Sequence, residues 1–206
     1  MANTDAYDRF IASMKIGYQE WHDGTPYDLE ALDQVSPSER LQLEQRLLAR
    51  KDEDWRDVEA LARINTPAAI AGLKDSLNGP IREVRIRAAR LLFERGYLES
   101  LDSVIVEGLR NGSVGRGLAE CEMLAAEHPS PAVMRELLYG VACSMDDRAV
   151  RFAALLFFLC GKAESPFDRR RREFFLRFNS KNPAERRRLF DQLCKTLGLD
   201  GSGIQC

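Results

Sequence analysis

The sequence predicts an all-α fold, an array of antiparallel helix pairs, and three observations lead to it. Strand-like alternation is nearly absent from the 206 residues, and helix-start signals recur along the whole chain. Residues 81–92 carry apolar side chains at helical spacing, and a related pattern returns twice downstream, at intervals of 30 and 36 residues. One helix pair for each interval of that length is typical of stacked α-helical repeats.

Helix starts are marked by prolines. Seven of the eight prolines follow a residue that often caps a helix, and Pro fits just inside the first turn because its missing N–H would have no partner there. These pairs are Thr25-Pro26, Ser36-Pro37, Thr66-Pro67, Gly79-Pro80, Ser130-Pro131, Ser165-Pro166 and Asn182-Pro183. Gly96, Gly161 and Gly198 are predicted to close helices in the left-handed conformation.

These signals, taken in chain order with the apolar periodicity, place twelve helices. Connections of two to five residues favour antiparallel neighbours. The predicted helices are 4–21, 27–34, 37–50, 54–64, 67–77, 80–95, 98–110, 114–127, 131–144, 147–160, 166–178 and 183–197. Helix 147–160 is apolar nearly all round, which favours a central position, with Phe174, Phe175 and Phe178 as its cover.

The repetition lies in the second helix of each predicted pair. Val84-Arg85-Ile86-Arg87-Ala88-Ala89 returns as Val150-Arg151-Phe152-Ala153-Ala154-Leu155, with a weaker copy at Val114-Gly115-Arg116-Gly117-Leu118-Ala119. Together with the acidic turn that precedes Val84 and Val150, this pattern resembles the HEAT repeat family, especially its short bacterial form. The resemblance implies a right-handed α-solenoid over about 66–160, in which Arg85 and Arg151 bond across to the neighbouring repeat. A globular helical bundle is the alternative.

The domain prediction is a single all-helical domain over 1–206. Residues 1–64 are predicted to form an irregular N-terminal helical cap, because a terminal unit of an array has one face without a neighbour. Residues 65–161 carry the HEAT-like repeats, and 162–206 form C-terminal capping helices.

Composition narrows the class of protein. The chain is 45% hydrophobic and 30% charged, as expected for a folded protein, and its net charge of −2 gives no overall argument for nucleic acid. Met1 to Asp5 lack the features of a signal peptide, and the longest apolar run, Phe152 to Cys160, is about half a membrane span. The five cysteines form no Cys-x-x-Cys, which predicts reduced thiols and a cytoplasmic protein without membrane contact.

The sequence lacks the common motifs of catalytic, nucleotide-binding and metal sites. Only two histidines occur, His22 and His128, and no phosphate loop, nucleophile elbow or dinucleotide fingerprint is present. We therefore predict no catalytic residue, no cofactor and no metal, and a chain that is not an enzyme.

An acidic stretch is the first candidate site. Residues 20–59 contain twelve acidic and five basic residues, and the acids concentrate around a tryptophan. One interpretation is structural, since acids in a first turn favour the helix dipole and Trp55 packs with Val58 and Leu61. The other is a surface for a basic partner, whose approach such a field accelerates. The candidate partner-binding residues are Asp52, Glu53, Asp54, Trp55 and Asp57.

A basic segment is the second candidate site. Residues 162–190 contain ten basic and four acidic residues. Arg171 is predicted to lay its stem over phenylalanines, which leaves an exposed arginine patch. Phosphate binding is the functional interpretation of that patch, and a solvated face is the structural one. The candidate nucleic-acid-binding residues are Arg169, Arg172, Arg186, Arg187 and Arg188.

Function follows by elimination and by analogy with the fold. The first hypothesis is a non-enzymatic protein-binding module, an adaptor or inhibitor such as a bacterial immunity protein that neutralises a partner toxin or effector. Its partner is expected to be a protein with a basic surface. The second hypothesis is a nucleic-acid binder that uses the C-terminal arginines, as in the HEAT-like DNA glycosylases.

Overall fold

The computed structural model describes residues 4–112 and 117–204, and the described chain is helical without any strand. The chain divides into two compact units, Met1–Glu99 and Ser100–Cys206. The all-α prediction is therefore confirmed. The weak copy of the repeat at Val114 and Gly115 lies outside the described residues.

Unit 1 contains seven helices around one apolar core. They are α1 (Asp5–Ser13), α2 (Tyr18–His22), α3 (Leu29–Gln34), α4 (Pro37–Arg50), α5 (Trp55–Ile64), α6 (Pro67–Ser76) and α7 (Arg82–Glu94). Helix α4 packs on α5 and α6 packs on α7, and the second pair stacks on the first through contacts of α6 with α4 and of α7 with α5. Buried side chains at the centre include Phe10, Leu32, Leu43, Leu47, Leu61, Leu73, Val84 and Leu92.

Unit 2 repeats this arrangement and adds a C-terminal cover. Its helices are α8 (Asp102–Asn111), α9 (Leu118–Glu127), α10 (Pro131–Cys143), α11 (Asp147–Leu159), α12 (Arg172–Leu176) and α13 (Pro183–Leu197), with short 3₁₀ turns at Arg169–Arg171 and Arg177–Asn179. The pair α10–α11 stacks on the pair α8–α9 through contacts of α10 with α8 and of α11 with α9.

Helix α11 lies at the centre of unit 2, as its apolar sequence predicts. Its residues from Phe152 to Phe157 are all buried. The phenylalanines of α12 cover it, because the Phe157 ring lies 5.6 Å from that of Phe174 and 5.3 Å from that of Phe175. Arg171 places its guanidinium 5.2 Å above the Phe157 ring, in agreement with the predicted position of its stem.

Capping chemistry fixes most helix starts where the sequence predicts them. The side chains of Ser36, Thr66, Ser130 and Asn182 each accept a hydrogen bond from the first turn of α4, α6, α10 and α13, and a proline follows each of them. Gly96, Gly161 and Gly198 have φ between 67° and 75°, the conformation that closes a helix.

Several predicted helix starts and spans are wrong. Helix 4–21 is interrupted between α1 and α2, because the Ser13 hydroxyl donates to the Phe10 carbonyl oxygen (2.7 Å) and Gly17 is extended. Pro80 precedes α7, since the Arg85 side chain holds the Gly79 and Pro80 carbonyls outside the helix. The pairs Thr25-Pro26 and Ser165-Pro166 start no helix, because the capping aspartates Asp28 and Asp168 lie further along the chain.

Ion pairs connect the second helices of stacked pairs within each unit. Arg151 on α11 bonds Glu122 on α9 (Nε–Oε1 2.7 Å), as the resemblance implies. In unit 1 the corresponding link is made by Arg87 on α7 to Glu59 on α5 (3.4 Å), two residues beyond Arg85. Burial raises the pKa of Glu59, and the Arg87 charge opposes that rise.

The cysteines depart in part from expectation. Cys121 and Cys194 are buried and Cys160 is half-buried, so these three thiols act as small core groups. Cys143 is disulfide-bonded, so the prediction of a reduced thiol is wrong at this position. Within residues 4–112 and 117–204, no helix has the length and apolar character needed to cross a membrane.

Candidate functional site

The predicted acidic site lies at the start of α5. Asp52 and Glu53 occupy the turn after α4, Asp54 is the N-cap of α5, and Trp55 is its first residue. The Asp54 carboxylate accepts from the Arg56 backbone N–H at 2.9 Å, which satisfies one of the unpaired donors of the helix start. The sequence interpretation gave Asp54 a favourable interaction with the helix dipole, and the structure adds this N-cap hydrogen bond.

Basic neighbours neutralise these acids within the fold. Asp52 pairs with Lys51 (2.7 Å), Glu53 pairs with Arg50 (3.5 Å) and Asp54 pairs with Arg56 (3.0 Å). The negative field at this turn is weaker than the acid count suggests, because each charge has an opposite charge beside it.

Asp57 is buried inside unit 1. Its side chain is 0% exposed, and Oδ1 accepts from the Tyr27 hydroxyl at 3.1 Å. Oδ2 lies 3.6 Å from Nε of Arg50, and neither of these two atoms has a hydrogen-bond partner in the described structure. Burial raises the pKa of Asp57 to about 6, although the Arg50 charge lowers it. Burial, followed by the Asp57 charge, also raises the pKa of Tyr27.

Arg56 joins α5 to the segment that carries α2. It is 1% exposed, and its Nε donates to the Thr25 carbonyl oxygen at 2.6 Å. Its Nη2 donates to the Glu20 carbonyl oxygen at 3.2 Å, and its Nη1 contacts the Asp54 carboxylate. A buried guanidinium is stable only when its donors are bonded, and this one anchors residues 20–25 against the helix start.

Two guanidiniums lie against the Trp55 ring. The Cζ atom of Arg56 is 4.5 Å from the ring centroid, and that of Arg87 is 5.0 Å from it. Arg87 also pairs with Glu59, so a cation shared by a tryptophan face and a carboxylate is already part of this fold. The half-buried Trp55 therefore has a structural role at the α5–α7 contact.

An aromatic patch on α2 is the most exposed apolar feature near this turn. We define it as Tyr18, Trp21 and His22. Tyr18 is 77% exposed and Trp21 is 65% exposed. The Tyr18 ring centroid lies 6.3 Å from that of Trp21 and 6.0 Å from that of His22, so the three rings share one face of the helix. Exposed tyrosine and tryptophan in such a group are typical of interaction surfaces.

The surroundings of the aromatic patch are negatively charged. No Lys or Arg occurs between residues 16 and 39, whereas Glu20, Asp23 and Glu30 are exposed there. The Asp23 carboxylate borders the patch, since Oδ1 lies 3.0 Å from Nδ1 of His22 and Oδ2 accepts from Gln19 at 2.7 Å. These two contacts lower the pKa of Asp23 and keep the group ionised.

The five candidate arginines of unit 2 have different environments. Arg186 donates to the Ala142 (2.7 Å) and Ser144 (2.6 Å) carbonyl oxygens at the end of α10. Arg187 pairs with Asp191 (3.1 Å) and lies over the Phe190 ring. The other three candidates, Arg169, Arg172 and Arg188, are exposed, and none of them forms an ion pair with a residue that the structure describes.

Sequence reasoning assigned residues 18–28 to a shielding cap and missed the exposed face of α2. The sequence signal for this exposed face was a pair of helix breaks, one at Gly17 and one at Asp23-Gly24. The helix of five residues between these breaks is too short to bury two large rings. Aromatic residues in so short a helix, next to acidic residues, indicate a surface feature.

The sequence matches no protein-family model, and no curated protein or solved structure is significantly similar to it. The described residues contain no group of three or more His, Cys, Asp or Glu side chains arranged around a common point. The candidate function therefore depends on the geometry of the two surfaces described above.

Proposed function

We propose that this chain is a non-enzymatic protein-binding module, an adaptor or inhibitor built as a right-handed α-solenoid of HEAT-like helix pairs. The stacking of α6–α7 on α4–α5 and of α10–α11 on α8–α9 supports this architecture within each unit. The bond of Arg151 to Glu122 also supports it, since the resemblance implies that link.

One observation carries the functional proposal. The aromatic patch presents two large rings to solvent on an acidic segment, and a buried arginine anchors that segment. Maintaining exposed Tyr and Trp has no benefit for the core, whereas these residue types supply much of the binding energy at protein interfaces. The acidic surroundings select a partner with a basic surface by electrostatic complementarity.

Pull-down by the tagged chain from its native cell tests this proposal. The double variant Tyr18→Ala/Trp21→Ala is expected to lose a specific protein that the wild-type chain retains, because each truncated interface anchor costs about 2 kcal/mol or more. Leu41→Ala is the matched control, since Leu41 is an exposed apolar residue of unit 1 (55%) on α4. Retention of every specific partner by the double variant would exclude the aromatic patch as the binding surface.

Nucleic-acid binding is the second candidate function. The observation that favours it is the exposure of Arg169, Arg172 and Arg188 without an ion pair in the described residues. Arg186 and Arg187 contribute less to such a surface, because their guanidiniums are already bonded within unit 2.

A further inference from the structure

We infer that the aromatic patch is a seat for an arginine side chain of a basic peptide segment, which stacks on Trp21 and Tyr18 and pairs with Asp23. This inference rests on the proposed protein-binding function and names the chemistry that the same surface recognises.

The geometry of the rings suits a planar cation. Tyr18 and Trp21 are inclined by 36° with centroids 6.3 Å apart, so their exposed faces form a shallow surface wide enough for one guanidinium. A guanidinium stacks on aromatic faces and is less strongly hydrated than an ammonium group, so it loses less on leaving water.

The negative charge beside the rings is a second reason to expect an arginine side chain at this site. Asp23 borders the patch through its contact with His22, and its carboxylate is ionised. A guanidinium that stacks on the rings keeps its N–H groups free to donate to a neighbouring carboxylate, and such charge-assisted bonds are stronger than neutral ones. Residues 16–39, which carry the patch, contain no Lys or Arg.

The same protein shows this mode of contact at Trp55. There Arg87 lies 5.0 Å from the ring centroid while its guanidinium pairs with Glu59 at 3.4 Å. Trp21 and Asp23 offer the same two groups on the surface. In the described residues no guanidinium or ammonium lies over Trp21.

Tryptophan fluorescence measures this binding directly. The chain has two tryptophans, so Trp55→Phe leaves Trp21 as the single reporter. Titration with hexa-arginine is expected to change the Trp21 emission in a saturable manner, and hexalysine is expected to bind more weakly. Tyr18→Ala in this background should weaken hexa-arginine binding about fivefold, the value of one exposed cation–π contact. Asp23→Asn should weaken it by a similar factor.

The control is Asp75→Asn, which removes an exposed acid of α6 outside the patch and is expected to leave hexa-arginine binding within about twofold. If Trp55→Phe unfolds, calorimetric titration of the wild-type chain and its Tyr18→Ala and Asp23→Asn variants gives the same comparison. An unchanged Trp21 emission overturns the inference, and so does hexa-arginine binding by the Tyr18→Ala and Asp23→Asn variants that is as tight as that of their parent chain. The two proposals can fail separately. If Tyr18→Ala/Trp21→Ala loses a cellular partner but the wild-type chain does not bind hexa-arginine, the arginine site is excluded and the protein-binding function is retained.

Discussion

At the residue scale, Asp57 makes the stability of unit 1 depend on pH. Its pKa in the folded chain is about 6, whereas an aspartate in an unfolded chain has a pKa of about 3.9. Between these values the folded state binds more protons than the unfolded state, so the free energy of unfolding falls as pH rises and becomes level above about pH 6. The difference of about two pKa units corresponds to about 3 kcal/mol.

Asp57→Asn removes this dependence. The amide retains an oxygen that accepts from the Tyr27 hydroxyl, and Arg50 keeps Glu53 at 3.5 Å as its partner. We expect the stability of the variant relative to wild type to increase from pH 4 to pH 7 by about 2 kcal/mol, as measured by urea unfolding at several pH values. This is less than the full difference, because an unfolded aspartate is only half protonated at pH 4.

Asp33→Asn is a control variant for which the opposite pH dependence of stability is expected. A hydrogen bond from Arg63 lowers the pKa of the exposed Asp33, so its contribution to stability is present above the ordinary pKa of aspartate and is lost in acid. The Asp33→Asn chain should therefore lose stability at neutral pH relative to acid pH. An effect of Asp57→Asn that is identical at pH 4 and pH 7 would show that Asp57 titrates normally.

The residues that the sequence predicts correctly are those with local partners. The caps at Ser36 and Asn182 depend on donors within the next three residues, so the sequence pattern is sufficient to identify them. Asp57 lies in the same acidic stretch of the sequence as Asp54. Its buried carboxylate, however, is bonded by Tyr27, which is thirty residues away in the chain. No pattern in a single sequence specifies such a contact.

At the element scale, α2 is held in place by one side chain. Arg56 bonds the Glu20 and Thr25 carbonyls, and no residue within α2 is itself buried. A helix of five residues has little intrinsic stability, so its position depends on this tertiary anchor. Both the aromatic patch and the arginine seat therefore require Arg56 as a positioning residue.

Arg56→Lys tests the anchor. An ammonium group on a flexible stem cannot replace the planar fork that contacts two carbonyls and a carboxylate. Amide hydrogen exchange over residues 18–27 is expected to become about 10- to 100-fold faster, since a buried bond to a charged donor is worth about 1.5–3 kcal/mol. Exchange in α6 should stay at the wild-type rate.

Arg63→Lys provides the comparison, because Arg63 pairs with Asp33 on an exposed surface of the same unit. Its effect on exchange over residues 18–27 should be small. Wild-type protection of these residues in the Arg56→Lys chain would mean that contacts other than the guanidinium hold α2.

The sequence predicts which helices exist more reliably than it predicts where they begin and end. Proline and glycine signals identify most of the helices, but the starts of α7 and α8 lie two and four residues later than predicted. At α7 the delay has a tertiary cause, because the Arg85 side chain binds the carbonyls of the turn before the helix. The interruption between α1 and α2 is decided in part by the Ser13 hydroxyl, which also accepts from the Asp28 backbone N–H (2.9 Å).

At the scale of the whole molecule, the sequence repeat corresponds to real stacking of helix pairs inside each unit. Val84 and Val150 both lie buried near the start of a second helix, α7 and α11. Ion pairs link the second helices of stacked pairs in both units, from Arg87 to Glu59 in unit 1 and from Arg151 to Glu122 in unit 2.

The charge asymmetry of the chain separates its two candidate functions. Acids predominate in residues 20–59 and arginines in residues 162–190, so one protein offers surfaces for partners of opposite charge.

If the acidic surface is the functional one, a labelled DNA duplex of about 20 base pairs should show no anisotropy increase with the chain at about 50 mM salt, since non-specific binding of basic proteins is readily detected at low salt. The triple variant Arg169→Gln/Arg172→Gln/Arg188→Gln should likewise leave hexa-arginine binding unchanged. Duplex binding that weakens steeply with salt and disappears in the triple variant would instead assign the function to the C-terminal arginines, because only phosphate contacts release counterions in proportion to the cations involved.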